Sequence, residues 1–381
     1  MNRNEINIWE LGDKINIKVD TLFLNDINKR IKKKYSTKKN IHQKLIMNYK
    51  IPFSTFKAKM KLGYKYFIDL EILLNLCKLL KISIFKLQKN IIAYKIRGGY
   101  NYIEKPKLPI KISPIFDMLI AHHIGDGTVI NVKGRQPYFG YRQFNINYRN
   151  LYIKKIESVF GKLKYKKKYF HNKNTTRIYF PIVVSNLLFK QYNLNVNSFK
   201  SEIARIPKDI FNKNKKHKLA FLIGIIIDEG SIDSNLIIIR LKNENLIKDL
   251  QNICNQLNYK TTIKPGKDGM FCLYILSINL NEFYNDYLKL IKEYPEINLG
   301  YKQNKIEEFI KRVNKPKRYV KGNKKIILNE LLKTNLTINE LSKKLLITRQ
   351  GIRYLIKELI KENKIEIKSI EKFKNYKYGL R

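Results

Sequence analysis

Two stretches decide how this chain folds: Leu119-Ile-Ala-His-His-Ile-Gly-Asp-Gly127 and Leu222-Ile-Gly-Ile-Ile-Ile-Asp-Glu-Gly230. Each reads as an apolar helix that ends in an acid followed by glycine. The acids, Asp126 and Glu229, lie 103 positions apart (229 − 126). A carboxylate in the last turn of a helix meets the negative end of the macrodipole, at a cost of ~0.3–1 kcal/mol. One such placement is noise, but two in matching contexts ask for a compensating cation. The glycines have a reason of their own, the left-handed conformation that closes a helix. The acids have none. If a pseudo-twofold axis relates the two segments, Asp126 and Glu229 meet at the helix ends and share a divalent metal. Hard Mg2+ suits carboxylate, water and phosphate oxygens.

The chain behind each acid repeats as well. Strand-like alternation follows at Arg142, Phe144, Ile146 and Tyr148, and again at Ile237, Ile239 and Leu241. Helices opened by Asn150-Leu-Tyr-Ile-Lys and Asn245-Leu-Ile-Lys-Asp come next. Strands are then expected over 163–170 and 259–264, hairpin tips at 171–174 and 265–269, and return strands around Tyr179 and Tyr274. Closing helices fall over 184–192 and 281–294. The expected fold is α+β, with two αββαββα repeats over 114–200 and 201–312.

Both flanks read differently. Residues 1–100 are expected to be mostly helical, with helices over 40–51, 52–63 and 69–82 in a helix-turn-helix. Ser54, Thr55, Lys57 and Lys59 would face DNA from its recognition position. Residues 101–113, with two prolines and no helical pattern, read as a linker. Residues 313–381 have the pattern of a winged helix-turn-helix. Thr337 starts its second helix, and Arg349, Arg353 and Lys357 form a basic stripe on its third at intervals of four.

Composition narrows the partner. Lys and Arg outnumber Asp and Glu by 77 to 31 across 381 residues, a formal charge of +46 spread over the whole chain. Such a chain repels itself, so a polyanion is its physical complement. AT-rich coding accounts for Lys over Arg but not for Lys over Glu. Cys77, Cys254 and Cys272 have no paired spacing and read as small core residues, not a zinc site or disulfide framework. The amino terminus lacks the form of a signal peptide, and no apolar run approaches a membrane span. The expectation is an intracellular protein, cytoplasmic, nucleoid-associated or organellar.

The two opening stretches resemble the LAGLIDADG motif of homing endonucleases, with its final acid on Asp126 and Glu229 and its glycine on Gly127 and Gly230. The resemblance covers about residues 114–312. It implies motif helices packed at an interface through small residues, here Ala121 and Gly125 against Gly224 and Asp228, with sheets forming a DNA-binding saddle. It implies a monomer that hydrolyses phosphodiester bonds of double-stranded DNA with Mg2+ or Mn2+ held by Asp126 and Glu229, with Gly125 and Asp228 beside the metal. Basic catalytic residues are expected at Arg205, Lys208 and Lys302. Tyr141, Gln143, Asn145, Asn147, Arg177, Arg240 and Lys242 would read DNA from the sheets. The chain departs from the motif at Ile124 and Ile227, where an acid is usual, and at His122-His123, where apolar residues are. An intein is not expected, because the chain starts with Met1 and ends without a terminal Asn. Two other readings stay open: a transcription regulator with an inactive core, as in the WhiA type, and an intron maturase binding RNA.

Overall fold

A computed structural model of the chain describes residues 4–12, 14–46, 52–61, 65–131, 133, 136–164, 177–233, 236–313, 323–371 and 375–381. They fall into two compact units. The first comprises Met1–Ser231, Ile237–Leu276 and Asn285–Gly300; the second comprises Ile232–Leu236, Ser277–Tyr284 and Tyr301–Arg381.

The first unit is organised around two helices, Pro114–Ile124 and Lys215–Glu229, packed along each other. Their starts are locally encoded. Ser113 accepts a hydrogen bond from the Phe116 amide, and Pro114 sits where a missing N–H costs nothing. Asn214 accepts from the amides of Lys216 and His217. Both helices are apolar nearly all round, with Pro114 to His123 and Leu219 to Ile226 buried, as in a core helix. They approach at small residues. A Cβ added to Gly224 would lie 2.7 Å from the Ala121 methyl, and one on Gly125 would lie 2.8 Å from the Asp228 Cβ. In both pairs the partners are 103 positions apart (224 − 121 and 228 − 125). Contacts between equivalent positions are what a twofold axis requires.

Gly127 and Gly230 do not adopt the expected left-handed conformation; neither has a positive φ among the described residues. Their reason is steric. A Cβ on Gly127 would lie 2.3 Å from the His123 Cα, and one on Gly230 would lie 2.6 Å from the Ile226 carbonyl oxygen. Each glycine lets the outgoing strand press against the last turn of its own helix.

After Lys215–Glu229 come strands Gly230–Asp233 and Leu236–Leu241, helix Glu244–Gln256, strands Thr261–Pro265 and Phe271–Ile275, and helix Leu280–Glu293. The four strands form one sheet in the order 230–233, 236–241, 271–275, 261–265. After Pro114–Ile124 come strands Gly127–Ile130 and Tyr138–Arg142, helix Ile146–Phe160, strands Lys162–Lys164 and Arg177–Tyr179, and helix Ile182–Gln191. Residues 165–176, which carry the expected hairpin tip, lie outside the described residues. The strand expected through Phe144, Ile146 and Tyr148 is a helix start instead. The Asn145 side chain accepts from the Asn147 amide at 2.8 Å and caps Ile146–Phe160, leaving Phe144 71% exposed. A short amide side chain that can serve the free N–H groups of a first turn outweighs a weak alternation.

The amino-terminal region corrects the sequence reading more broadly. Helices take up more than half of the described residues of 1–100, as expected, but a sheet runs through them, and 101–113, expected to be a linker, carries strands Tyr102–Glu104 and Ile110–Lys111. A five-stranded antiparallel sheet runs in the order Ile68–Asp69, Ile15–Val19, Ile91–Ile96, Tyr102–Glu104, Lys162–Lys164. Its last strand comes from the first repeat, and Ile110–Lys111 pairs with Glu5–Ile6. Short apolar runs such as Ile91-Ile-Ala-Tyr-Lys-Ile96 have too few residues for a period to separate strand from helix. Helices Thr21–Tyr35, Lys38–Ile46, Phe53–Lys61, Leu70–Leu79 and Ile84–Lys89 accompany the sheet. On Phe53–Lys61, Ser54, Thr55 and Lys57 are exposed, and Lys59 is half-buried.

The second unit contains helices Tyr301–Val313, Asn323–Lys333, Ile338–Leu345 and Arg349–Lys361, with strands in the order Leu336–Thr337, Asn375–Leu380, Ile365–Glu371. Thr337 caps its helix in a box with Glu340, and Leu346 takes a left-handed turn (φ 53°) before Arg349–Lys361. Ile327, Leu331, Leu341, Ile352, Ile356, Leu359, Ile365 and Tyr378 form its core. Cys77, Cys254 and Cys272 are free and buried. Among the described residues no helix is long and apolar enough to cross a membrane.

The helix-pair contact sets a test. Gly224→Val gains helix propensity but drives a branched side chain into the Ala121 methyl. Overpacking costs about 1–3 kcal/mol, more than the ~1 kcal/mol propensity term. A lowered urea midpoint with unchanged m-value is expected; an unchanged midpoint would contradict the close approach.

Candidate active site

At the carboxyl ends of the two central helices, Asp126 and Glu229 are half-buried acids in equivalent places. Between them and the core lies a polar chain that no sequence pattern announced. The Asp228 side chain is fully buried. Its Oδ1 accepts from the Tyr141 hydroxyl at 2.8 Å, and its Oδ2 lies 2.9 Å from His122 Nδ1. On the far side, His122 Nε2 lies 2.9 Å from Lys155 Nζ. The partners dictate the tautomer: Lys155 donates to Nε2, and Nδ1–H donates to Asp228. Burial, then the Lys155 charge, keeps the His122 imidazole neutral well below its usual pKa. Burial pushes the Lys155 ammonium down to about 7 against the opposing pull of Asp228. Burial and the charges of Asp228 and Asp126 hold the Tyr141 hydroxyl far above its ordinary range. A buried cation and a buried anion are thus joined through a neutral imidazole, each with a partner, as buried charges require.

This chain changes several expectations. Asp228, expected beside the metal, has both carboxylate oxygens engaged by Tyr141 and His122. Gly125 serves close packing against Asp228. Tyr141, expected to face DNA, is buried and stacks on Tyr152 with ring centroids 4.0 Å apart. His122 uses both nitrogens in the chain, and His123 Nε2 lies 3.0 Å from the Tyr152 hydroxyl while its ring stacks on Phe139.

The remaining expected residues divide. Arg205 makes a two-pronged ion pair with Asp249, 2.7 Å at each contact, and Asp249 also accepts from the Ile206 amide. That pairing staples the loop before Lys215–Glu229 to Glu244–Gln256, although the Arg205 side chain stays 57% exposed. Lys208 opens the short helix Lys208–Phe211 and is exposed. Lys302 is buried, contrary to a phosphate-facing role. Gln143 accepts from the Asn145 amide, and Asn145 and Asn147 belong to a helix start, so these three do not line a sheet face. Arg240 and Lys242 are exposed, with Arg240 donating to Ser231 Oγ at 2.9 Å. The Arg177 side chain lies outside the described residues. Arg349, Arg353 and Lys357 are exposed on one helix face.

Sequence reasoning missed Lys155 and a second buried cluster at the other end of the helix pair. There Asp117 accepts from Tyr192, from Lys213 at 2.5 Å and from His217 at 2.6 Å. The available signal was an acid and two histidines inside helices otherwise apolar all round. Among the described residues, no group of three or more His, Cys, Asp or Glu is placed to hold a metal.

No protein-family model matches the chain, and no curated protein matches it. Among solved structures it is similar to I-DmoI in complex with DNA and Mn, at 18% identity over 46% of this chain and 97% of that one, with a TM-score of 0.33. It is similar to full-length DUF199/WhiA from Thermatoga maritima at 16% identity, covering 65% of this chain and 90% of that one, TM-score 0.32. It is also similar to the homing endonuclease I-WcaI bound to its DNA recognition sequence, at 16% identity over 50% and 87%, TM-score 0.32.

The buried lysine predicts a pH dependence. Its folded pKa of about 7 lies below the unfolded value of about 10.4. Between the two the unfolded chain binds more protons, so this group's contribution rises with pH across that window and is lost as pH falls through about 7. The stability of wild type minus that of Lys155→Met should grow between these limits by up to about 1.4 kcal/mol per pH unit in urea unfolding. A difference independent of pH would remove the shifted lysine.

Proposed function

We propose that the first unit is a site-specific double-stranded DNA endonuclease of the LAGLIDADG kind, with Asp126 and Glu229 as its paired carboxylates. The supporting observation is the contact of equivalent positions, Ala121 with Gly224 and Gly125 with Asp228, directly before the two acids. Both halves of the site come from one chain, so a monomer suffices.

Two carboxylates are a small protein shell for a divalent ion, and that suits Mg2+ or Mn2+. Mg2+ keeps several waters and commonly uses one or two carboxylates plus substrate phosphates. Asp126 and Glu229 would hold it, and when bound it supplies Lewis acidity and a water of lowered pKa. The chain's own residues do the rest. The Tyr141–Asp228–His122–Lys155 chain holds the helix ends in register and keeps Asp228 out of the water-filled site. Arg240 and Lys242 offer cations to phosphates, as does Lys208.

A second reading has its own observation: Arg205 is committed to Asp249 and Lys302 is buried, which leaves Lys208 alone of the three expected basic positions exposed and, among the described residues, without an ion pair. A DNA-binding regulator that uses the Arg349–Lys361 helix as the reading helix of a winged helix-turn-helix fits those facts without cleavage.

Cleavage of a duplex library in Mg2+ separates the two. Asp126→Asn and Glu229→Gln should each cut the rate to below about a thousandth of wild type while duplex binding stays within a fewfold. Wild-type protein that binds a selected site tightly yet never nicks it would decide for the regulator. Replacing Arg353 and Lys357 by Gln should lower the slope of log affinity against log salt on that site by about 1.8, since each phosphate contact contributes about 0.9. An unchanged slope would take the helix off the DNA.

A further inference from the structure

The amino-terminal sheet has two contrasting faces. Ile17, Val19, Ile68, Tyr94, Ile96, Ile103 and Leu163 are buried on one. Cross-strand partners share a face, and the register places Asn16 opposite both Asp69 and Lys95, and Tyr102 opposite Lys164. The other face therefore carries Lys18, Lys95, Lys162 and Lys164 on its strands. The half-buried Lys59 and the exposed Arg97 add to the same positive field, since each lowers the proton affinity of a neighbouring cation.

Carboxylates offset only part of this charge. Asp69 pairs with Arg97, and Glu104 pairs with Lys164 at 3.4 Å. Among the described residues no carboxylate pairs with Lys18, Lys59 or Lys95. Instead, two of these ammonium groups are held over an aromatic ring: Lys95 lies 4.6 Å and Lys18 4.9 Å from the Phe67 centroid. Lys18 also lies 5.8 Å from the Tyr102 centroid, and the two rings meet edge to face at 5.4 Å. Lys95 further donates to the Gly99 carbonyl at 2.8 Å. Lysines that merely solvate a surface spread apart; these are gathered and fixed without an anion. Large aromatics stand at the neighbouring strand ends, with Tyr66 50% and Tyr100 78% exposed.

We infer that this face, centred on Lys18, Lys95, Phe67 and Tyr102, binds single-stranded nucleic acid. Exposed rings beside fixed cations favour a single strand over a duplex, because only unpaired bases offer their faces for stacking. A single strand's phosphates reach the fixed ammonium groups, and its bases stack on exposed tyrosines without sequence preference. The surface involves neither Asp126 nor Glu229, so it stands whether or not the first unit cleaves DNA.

The test uses the full chain with labelled homopolymers of deoxythymidine and of uridine and a duplex of equal length, read by fluorescence anisotropy over a salt series. The double variant Lys18→Gln, Lys95→Gln should bind both single strands at least about tenfold more weakly. Its salt slope should fall by about 1.4, because each lost contact removes about 0.7. Tyr100→Ala, at a position 78% exposed, should weaken single-strand binding severalfold with no change of slope. Duplex affinity should hold within about twofold. Equal single-strand binding by wild type and both variants would overturn the inference. So would a parallel loss of duplex binding, which would make the face a duplex-backbone surface.

Discussion

The first unit hinges on a contact between a methyl group and a missing side chain. Ala121 can meet Gly224 only because position 224 has no Cβ, and that approach lets two helices lie together along apolar surfaces. Packing at this distance carries through to their ends, where Gly125 meets Asp228 and the strands turn away at Gly127 and Gly230. Four close approaches therefore demand small residues along the same helix pair and at its carboxyl ends. The two acids lie next to these approaches, each directly before a glycine that closes on its own helix.

Close helix packing also creates an electrostatic problem. Asp228 is drawn out of water, and a lone buried carboxylate costs several kcal/mol. The cost is offset by a hydroxyl from Tyr141 and by an imidazole that relays the charge of Lys155. Asp117 meets the same problem at the opposite end, and Tyr192, Lys213 and His217 meet it there. Each cluster ties a motif helix to other elements of the unit, so polar groups set the register of an interface whose apolar surface alone would tolerate sliding.

The basic composition divides along similar lines. Some cations are structural: Arg205 staples a loop to a helix, and Lys155 and Lys302 are buried. Others gather on faces where carboxylates offset only part of the charge, on the amino-terminal sheet and along Arg349–Lys361. A formal charge of +46 says that a polyanion is needed, but which lysines meet it depends on which are already engaged.

The sequence by itself determined features whose physics is local. The paired acid-glycine ends, the cap at Thr337, the basic spacing of Arg349, Arg353 and Lys357, and the recurring order of elements follow from helix dipoles, capping and periodicity within a few residues. Only the tertiary structure decided the others. Asp228, the residue before Glu229, faces inward because Tyr141 and His122 arrive from remote elements. Tyr141, expected to face DNA, is covered by Tyr152. Asn145 ended an alternation that extended on paper to Tyr148. The five-stranded sheet joins strands up to 147 residues apart (162 − 15), and its lysine-aromatic face exists only through that pairing. Local rules describe what a segment prefers; long-range contacts decide which of its side chains are left facing a partner.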